Sequence, residues 1–230
     1  MRAITKGPEP AKLQAYRAVP GATYDGKDFT PVKDEIRAAL LNDQLAVCCY
    51  CMRRISVEAR PLSKKPDAPP VVQMKVEHWQ SQDAFPHLQL IWSNLLGACL
   101  GGMGSSPQDQ TCDTRKGEGA IILHPLDPAH IATLHCSSSG RLSSTDPRLQ
   151  EDIDERLGLN HRVLVADRKA RLDRDRNRLI ARHPLSIPES AVRRAIAEAE
   201  TPVEGRLPEH AFVLRLWAQK RFGASKGISP

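Results

Sequence analysis

The spacing of the cysteines is the feature that most constrains how this chain can fold. Cys48 and Cys51 form a C-x2-C pair, and two further cysteines follow at Cys99 and Cys112. Two thiolates at C-x2-C spacing can reach one tetrahedral zinc ion, and structural zinc sites take four such ligands. We therefore predict that these four cysteines form one structural zinc site, which would hold together two segments that are distant in the chain.

The remaining cysteines are not assigned to this site. Cys49 forms a C-x-C pair with Cys51, which does not give the required turn, and Cys136 falls in a predicted hairpin strand as a small apolar residue. The alternative for the later pair is that Cys99 is a small apolar residue in a helix and Cys112 is a loop thiol. A site closed by four thiolates has no open position, so its zinc would stabilise the fold and would not activate water.

Composition favours a globular protein in a reducing compartment. The 230 residues allow one ordinary domain, or a small domain with an appendage, and 40% apolar with 26% charged residues is typical of such chains. The sequence has no apolar run of about 18 residues, and its first ten residues do not resemble a signal peptide. We therefore expect a cytoplasmic protein without a membrane partner, whose cysteines bind metal or stay reduced.

Local patterns divide the chain into three parts. Residues 1–30 are polar and contain several Pro and Gly, which predicts an extended N-terminal segment with little regular structure. Residues 31–146 hold the four cysteines, a predicted helix over 31–43 and a predicted strand over 71–79. Residues 147–230 have helical patterning, with helices predicted over 147–157, 161–182, 188–200 and 208–222.

The net charge is +6, and the excess of basic residues lies towards the C-terminus. Residues 1–147 carry 16 Lys and Arg against 15 Asp and Glu, whereas residues 148–230 carry 17 against 12. The predicted helix 161–182 is especially rich in charge. Ion pairs at i,i+4 spacing on a solvated face and a surface that binds nucleic acid are both consistent with this pattern, and the sequence leaves the two alternatives open.

Between and around its cysteines, the chain resembles the HNH endonucleases. The resemblance is carried, in order, by Cys48-Cys49-Tyr50-Cys51, Glu77-His78, Asn94-Leu95 ahead of Cys99, and Cys112-Asp113-Thr114-Arg115-Lys116-Gly117. Two features depart from the family pattern: the usual second C-x2-C is stretched to C-x12-C, and Asp113 stands where His or Asn is commoner. A longer match, over about residues 30–180, is similar to the PtuB-type HNH proteins of Septu and retron-associated anti-phage systems.

The resemblance implies a fold and a catalytic base. The implied fold is α+β, with a zinc-stabilised ββα-metal (HNH, or His-Me finger) nuclease core, an N-terminal helix and a mainly α-helical C-terminal part. His78 would be the general base that takes a proton from the attacking water, a task suited to a neutral imidazole. Asn94 would orient the loop that carries the base through hydrogen bonds.

The resemblance also implies how a metal and a substrate would bind. Glu77 and Asp113 would hold a catalytic Mg²⁺ or Mn²⁺, since carboxylate oxygens suit hard cations. Lys116, and with it Arg115, would hold a phosphate of the nucleic-acid backbone as a positive charge.

The expected partners follow from the same resemblance. They are a nucleic-acid substrate, DNA or RNA, an ATPase of the PtuA type related to ABC and SMC proteins, and in some systems a retron reverse transcriptase with its noncoding RNA. The chain contains no G-x-x-x-x-G-K-[ST] motif, so the partner chain would supply any ATP chemistry. The alternative function is a zinc-stabilised adaptor that binds nucleic acid or protein without cleaving it, in which the residues assigned to catalysis are incidental.

Overall fold

The structure, a computed structural model, describes residues 1–62 and 68–222. Residues 63–67, in the predicted Pro-rich connection, and residues 223–230, at the end of the predicted helical part, lie outside the described residues. The described part is a mixed α+β fold with three small antiparallel sheets of two strands each. None of its helices is long and apolar enough to cross a membrane.

The predicted helix over residues 31–43 is confirmed as α2, Thr30–Asp43. A proline in its first turn has a backbone angle already suited to a helix, and its missing N–H would have no partner there. The helix buries Val32, Ile36 and Leu40 at four-residue spacing, which is the pattern of a helix with one apolar face.

The prediction of an extended segment over residues 1–30 is wrong in its middle. Residues Ala11–Arg17 form a short helix, α1, that packs against α2 and buries Leu13 completely. Short helices are marginal in isolation and are stabilised in proteins mainly by burying an apolar face. The flanking prolines led to the prediction of an extended segment. The helix is stabilised by packing against α2, and the local sequence does not show this packing.

The predicted strand over residues 71–79 is two strands separated by a break. The strands are β1 (Ala59–Pro61), β2 (Pro70–Val72), β3 (Lys75–His78), β4 (Leu95–Ala98), β5 (Leu134–Cys136) and β6 (Leu142–Ser144). The strands pair antiparallel as β1 with β2, β3 with β4, and β5 with β6. In the second sheet Glu77 lies opposite Leu96, and His78 lies opposite Leu95.

The C-terminal part is mainly helical, as predicted. The later helices are α3 (Cys112–Lys116), α4 (Pro128–Ala132), α5 (Pro147–Glu151), α6 (Arg162–Arg182), α7 (Glu189–Ala199) and α8 (Val213–Phe222). A π-helical turn, Asp152–Arg156, extends α5 to the end of the predicted range. The last helix begins five residues later than predicted, because residues 209–212, directly before it, form turns.

Helix α6 uses its charges in two ways. Arg168 is fully buried and donates to the carbonyl groups of Gly140 and Leu159 at 2.7 Å each. On the same helix, Arg171 and Asp175 form an i,i+4 ion pair at 2.7 Å. Such pairs account for part of the charge density, and a nucleic-acid-binding role for this helix stays a prediction.

Buried side chains from all three parts of the chain form one hydrophobic cluster, which extends from Met1 to Ala218. Helix α8 packs against both β5 and α6, so the C-terminal helices share a core with the segment that carries the cysteines. The division at residues 30 and 146 stays a prediction, and the packing is continuous across both positions.

Candidate functional site

The four predicted zinc ligands lie together. The Sγ atoms of Cys48, Cys51, Cys99 and Cys112, here called the cysteine cluster, are all within 4.8 Å of one another, and those of Cys51 and Cys99 are 3.6 Å apart. Four sulfurs bound to a tetrahedral zinc at about 2.3 Å are roughly 3.8 Å apart. The cysteine cluster can therefore hold a metal ion such as zinc. Across residues 1–62 and 68–222, no other group of His, Cys, Asp and Glu has this convergence.

A tight turn brings the first two ligands together. The N–H of Met52 donates to the carbonyl of Cys48 at 3.1 Å, and the N–H of Cys48 donates to the carbonyl of Arg53 at 2.8 Å. Met52 has φ +62°, a left-handed conformation that reverses the chain immediately after Cys51. The N–H of Arg53 also donates to the Cys51 sulfur at 3.5 Å, a contact that favours negative charge on this ligand.

The long spacer between the other two ligands closes on itself. The N–H of Thr111 donates to the carbonyl of Gly101 at 2.9 Å, so the two ends of the loop meet. Gly101 has φ +52°, and a Cβ atom there would be 2.1 Å from the Thr111 carbonyl oxygen, so this approach requires glycine. Because its ends meet, a C-x12-C segment can present Cys99 and Cys112 as a pair.

Cys49 and Cys136 are buried outside the cysteine cluster, in agreement with their exclusion from the predicted site. Burial raises the pKa of each thiol, and a hydrogen bond with Cys48 raises that of Cys49 further. Both side chains therefore behave as small apolar residues.

A second group of predicted residues lines a cavity of about 420 Å³. Glu77 and His78 from β3 and Asp113 and Lys116 from α3 form one wall, and residues before and within α2 form another. We call this space the His78 cavity. The His78 cavity and the cysteine cluster are adjacent in the sequence, since Asp113, which lines the cavity, directly follows Cys112.

The contacts of His78 define which of its ring nitrogens is basic. Nε2 lies 3.0 Å from the carbonyl oxygen of Gln89, and because a carbonyl can only accept, Nε2 donates and carries the hydrogen. In the neutral ring Nδ1 is then the basic nitrogen. The Tyr24 ring packs edge-on at 4.4 Å between centroids. Burial lowers the pKa of His78, which keeps the imidazole neutral near neutral pH.

Asn94 fixes the loop that follows His78. Its Oδ1 accepts from the N–H of Gln80 at 2.8 Å, and its Nδ2 donates to the carbonyls of Gln80 and Leu88 at 3.0 and 3.2 Å. The second carbonyl belongs to the residue before Gln89, the partner of His78. Asn94 therefore holds the loop next to the carbonyl that bonds His78, and its orienting role stays a prediction.

The two predicted metal-binding carboxylates lie beside two ammonium groups. Glu77 is 1% exposed, and its Oε1 accepts from the Tyr50 hydroxyl and from Lys116 Nζ, each at 2.6 Å. Oδ2 of Asp113 accepts from Lys75 Nζ at 2.6 Å. Since β3 ends at His78, its acidic and basic residues line the same cavity although neighbouring strand residues ordinarily point to opposite faces.

The pKa values show how the carboxyl groups interact. Burial, followed by a hydrogen bond with Asp113, raises the pKa of Glu77 well above its ordinary value. Burial acts to raise the pKa of Asp113 as well, but the hydrogen bond from Glu77 and the charge of Lys75 outweigh it and the pKa is lowered. The two carboxyl groups therefore interact directly, and Asp113 ionises more readily than Glu77.

The two predicted phosphate-binding side chains are each bonded within the protein, and their phosphate-binding role stays a prediction. The Lys116 side chain is 1% exposed, and besides Glu77 its ammonium binds the His78 carbonyl at 2.7 Å. Arg115 lies on the other side of α3, where its Nε donates to the carbonyl of Glu155 at 2.8 Å. The prediction followed sequence position, whereas burial next to a carboxylate decides what Lys116 binds.

Four contacting residues were not assigned from sequence: Tyr24, Tyr50, Lys75 and Gln89. For Lys75 a signal existed, because residues two apart on a strand share a face and Lys75 precedes Glu77 by two. For Tyr24 no local signal existed, since it comes from the segment predicted to lack structure.

No protein-family model matches this chain, and no curated protein matches it either.

Proposed function

We propose that this chain is a metal-dependent HNH endonuclease that hydrolyses phosphodiester bonds of nucleic acid. The observation that carries the proposal is the arrangement of His78 in the cavity. Its Nε2 is held by the Gln89 carbonyl, Nδ1 is the basic nitrogen, and a pair of carboxyl groups lies on the same wall. This is the constellation needed to deprotonate a water next to a phosphodiester.

In the proposed reaction, His78 Nδ1 takes a proton from a water molecule, which attacks phosphorus in line with the leaving 3′ oxygen. The hydrogen bond to Gln89 fixes the ring, and Asn94 fixes the loop that supplies this carbonyl. Tyr24 excludes water from one edge of the ring and limits its rotation. Orientation of this kind is a large part of what an enzyme contributes to a proton transfer.

Glu77 and Asp113 are the residues that would hold a divalent cation in this reaction. Two carboxyl groups joined by a hydrogen bond are close enough to reach one Mg²⁺ or Mn²⁺ ion. Such an ion would stabilise the charge that develops at phosphorus and at the leaving oxygen. Lys75 and Lys116 already compensate part of the carboxylate charge, so they would lower the affinity for the cation and keep the site intact without it.

The proposal includes a structural zinc ion in the cysteine cluster. Cys99 directly follows β4, and Cys112 is the first residue of α3. A metal bound to both would hold α3 against the β3–β4 sheet, and α3 carries Asp113. Zinc bound by four thiolates would therefore position the catalytic wall without taking part in the reaction.

The resemblance to PtuB-type proteins extends the proposal to partners. We propose an ATPase of the PtuA type as the partner chain, with a retron reverse transcriptase and its noncoding RNA as a further component in some systems. The nuclease would then act within an anti-phage defence complex.

The test is cleavage by the purified protein, alone and with the ATPase encoded beside it. Plasmid, single-stranded DNA and RNA are incubated with Mg²⁺ or Mn²⁺, and His78→Ala is compared with His87→Ala, an exposed histidine outside the cavity. We expect cleavage to fall by at least about a hundredfold in His78→Ala and to persist in His87→Ala, with both variants folded by circular dichroism. Equal cleavage by the two variants would exclude His78 as the base, and binding without cleavage by the parent chain under all these conditions would favour the adaptor alternative.

A further inference from the structure

Part of the lining of the His78 cavity comes from α2, the helix that precedes the cysteines. Lys33 and Arg37 both line the cavity together with His78 and Asp113. They are four residues apart on α2, so their side chains project from the same face of the helix. The segment before α2 adds Tyr24 and Asp25 to this wall.

The two α2 cations are held by weak contacts. Lys33 Nζ is 2.7 Å from Asp25, whose side chain is 60% exposed, and Arg37 is 3.3 Å from Asp34, whose side chain is 67% exposed. Ion pairs with exposed carboxylates contribute only about 0–1 kcal/mol. Moreover, Arg37 Nε is buried and has no hydrogen-bond partner within the described ranges. Both cations can therefore exchange their present partners for an anion at little cost.

On the wall formed by β3 and α3, by contrast, the cations are held by buried or mostly buried partners. Lys116 is buried between Glu77 and a backbone carbonyl, and Lys75 is paired with Asp113, itself only 16% exposed. These two ammonium groups neutralise the carboxylates of the candidate catalytic site. The cations of that wall are therefore engaged with the carboxyl groups beside them, whereas the cations of the α2 wall are available to an incoming phosphodiester.

We infer that Lys33 and Arg37 bind backbone phosphate of the nucleic-acid substrate, and that α2 thereby places the strand across His78. This inference deepens the proposed function and rests on it. The guanidinium group of Arg37 matches a phosphate with two parallel hydrogen bonds, while Lys33 supplies a point charge.

The distances fit a contact close to the reacting phosphate. Lys33 Nζ lies 4.9 Å from the Tyr24 ring centroid, and that ring is 4.4 Å from the His78 ring. The ammonium is therefore within about 10 Å of the imidazole, and since a nucleic-acid strand carries one phosphate about every 3.4 Å of helix axis, the contact falls within a few nucleotides of the bond cleaved.

The inference is tested by binding in a cleavage-deficient background. His78→Ala is combined with Arg37→Gln or Lys33→Gln, and affinity for a labelled DNA duplex, a single-stranded DNA and an RNA is measured over a range of salt without added divalent cation. The control is Arg17→Gln, which removes a surface ion pair with Glu9 at 2.8 Å and does not line the cavity. We expect each α2 variant to lower the slope of log affinity against log salt by about one, as removal of one phosphate contact does, and Arg37→Lys to recover part of the affinity.

The outcomes separate this inference from the proposed function. If Arg37→Gln and Lys33→Gln bind as tightly as Arg17→Gln, with melting temperatures unchanged, the inference is overturned even if the parent chain cleaves. Weakened binding by both variants supports it even if the chain proves not to cleave. If Arg115→Gln weakens binding and the α2 variants do not, the phosphate lies on the opposite side of α3 and the inference fails.

Discussion

The cysteine cluster and the His78 cavity adjoin each other along the chain and are built from opposite kinds of chemistry. The cluster consists of four identical donors directed at one point in the buried core. The cavity combines an imidazole, four carboxyl groups and four cationic side chains around about 420 Å³ of open space. The first arrangement saturates one ion, and the second leaves charged groups available to a ligand.

The difference shows how two kinds of polar site can be held side by side in one fold. In the cluster, one metal ion would satisfy all four thiolates and leave nothing to react with solvent. In the cavity, charges of both signs compensate one another, so the site can exist without ligand at moderate cost. Helix α3 joins the two because Cys112 belongs to one and Asp113 to the other.

The largest effect on stability is expected from removing one ligand of the cysteine cluster. Cys112→Ser, or Cys99→Ser, removes one of four metal ligands. Because folding of a structural zinc site is coupled to metal binding, we expect about one zinc per wild-type chain and loss of both zinc and cooperative unfolding in the variants. Metal analysis and thermal denaturation measure this, with the buried thiol variant Cys136→Ser as control. Full zinc content in Cys99→Ser and Cys112→Ser would show that the cluster is not the zinc site.

A smaller loss of stability is expected from removing one cation of the His78 cavity. Lys116→Met leaves Glu77 buried without its ammonium partner and removes the bond to the His78 carbonyl. Breaking a buried ion pair by removing one partner costs about 3 kcal/mol of unfolding free energy, measured by urea denaturation. Lys169→Met, which removes an exposed pair with Asp173, is the control and should cost below about 1 kcal/mol. If both variants lose the same stability, the cavity does not depend on internal charge compensation.

The third prediction uses pH to probe the core next to the cluster. The N–H of His210 donates to the carbonyl of Met52, the residue after Cys51, and its Nε2 lies 3.9 Å from Asp167. Burial, with Arg168 nearby, lowers the pKa of His210 to about 4. The unfolded chain takes up this proton below about pH 6.5 and the folded chain does not, so stability is fully present above pH 6.5 and falls by up to about 3 kcal/mol on the way to pH 4.

His210→Gln should remove this pH dependence. The measurement is the difference in unfolding free energy between wild type and variant from pH 7 to pH 4, which cancels the contribution of the carboxyl groups. We expect this difference in unfolding free energy to decrease as the pH falls from 7 to 4. A constant difference across this window would mean that the histidine is not buried in its neutral form.

Local sequence determined more about the cluster than about the cavity. The C-x2-C pair and the two later cysteines identified all four converging thiols, because ligand chemistry depends on residue type and only weakly on distant packing. The helices over residues 31–43, 161–182 and 188–200 were also predicted, since their apolar spacing or their flanking prolines are local features.

Tertiary structure alone decided which charges are free. Lys116 and Arg37 are both cations near His78, yet one is buried against Glu77 and the other faces an exposed aspartate. Helix α1 could not be predicted from the local sequence either, because its stability depends on burial of Leu13 against α2. The sequence specifies which charged groups a chain carries. Burial and pairing decide whether such a group stabilises the fold or is available to a ligand, and both arise only when distant segments pack together.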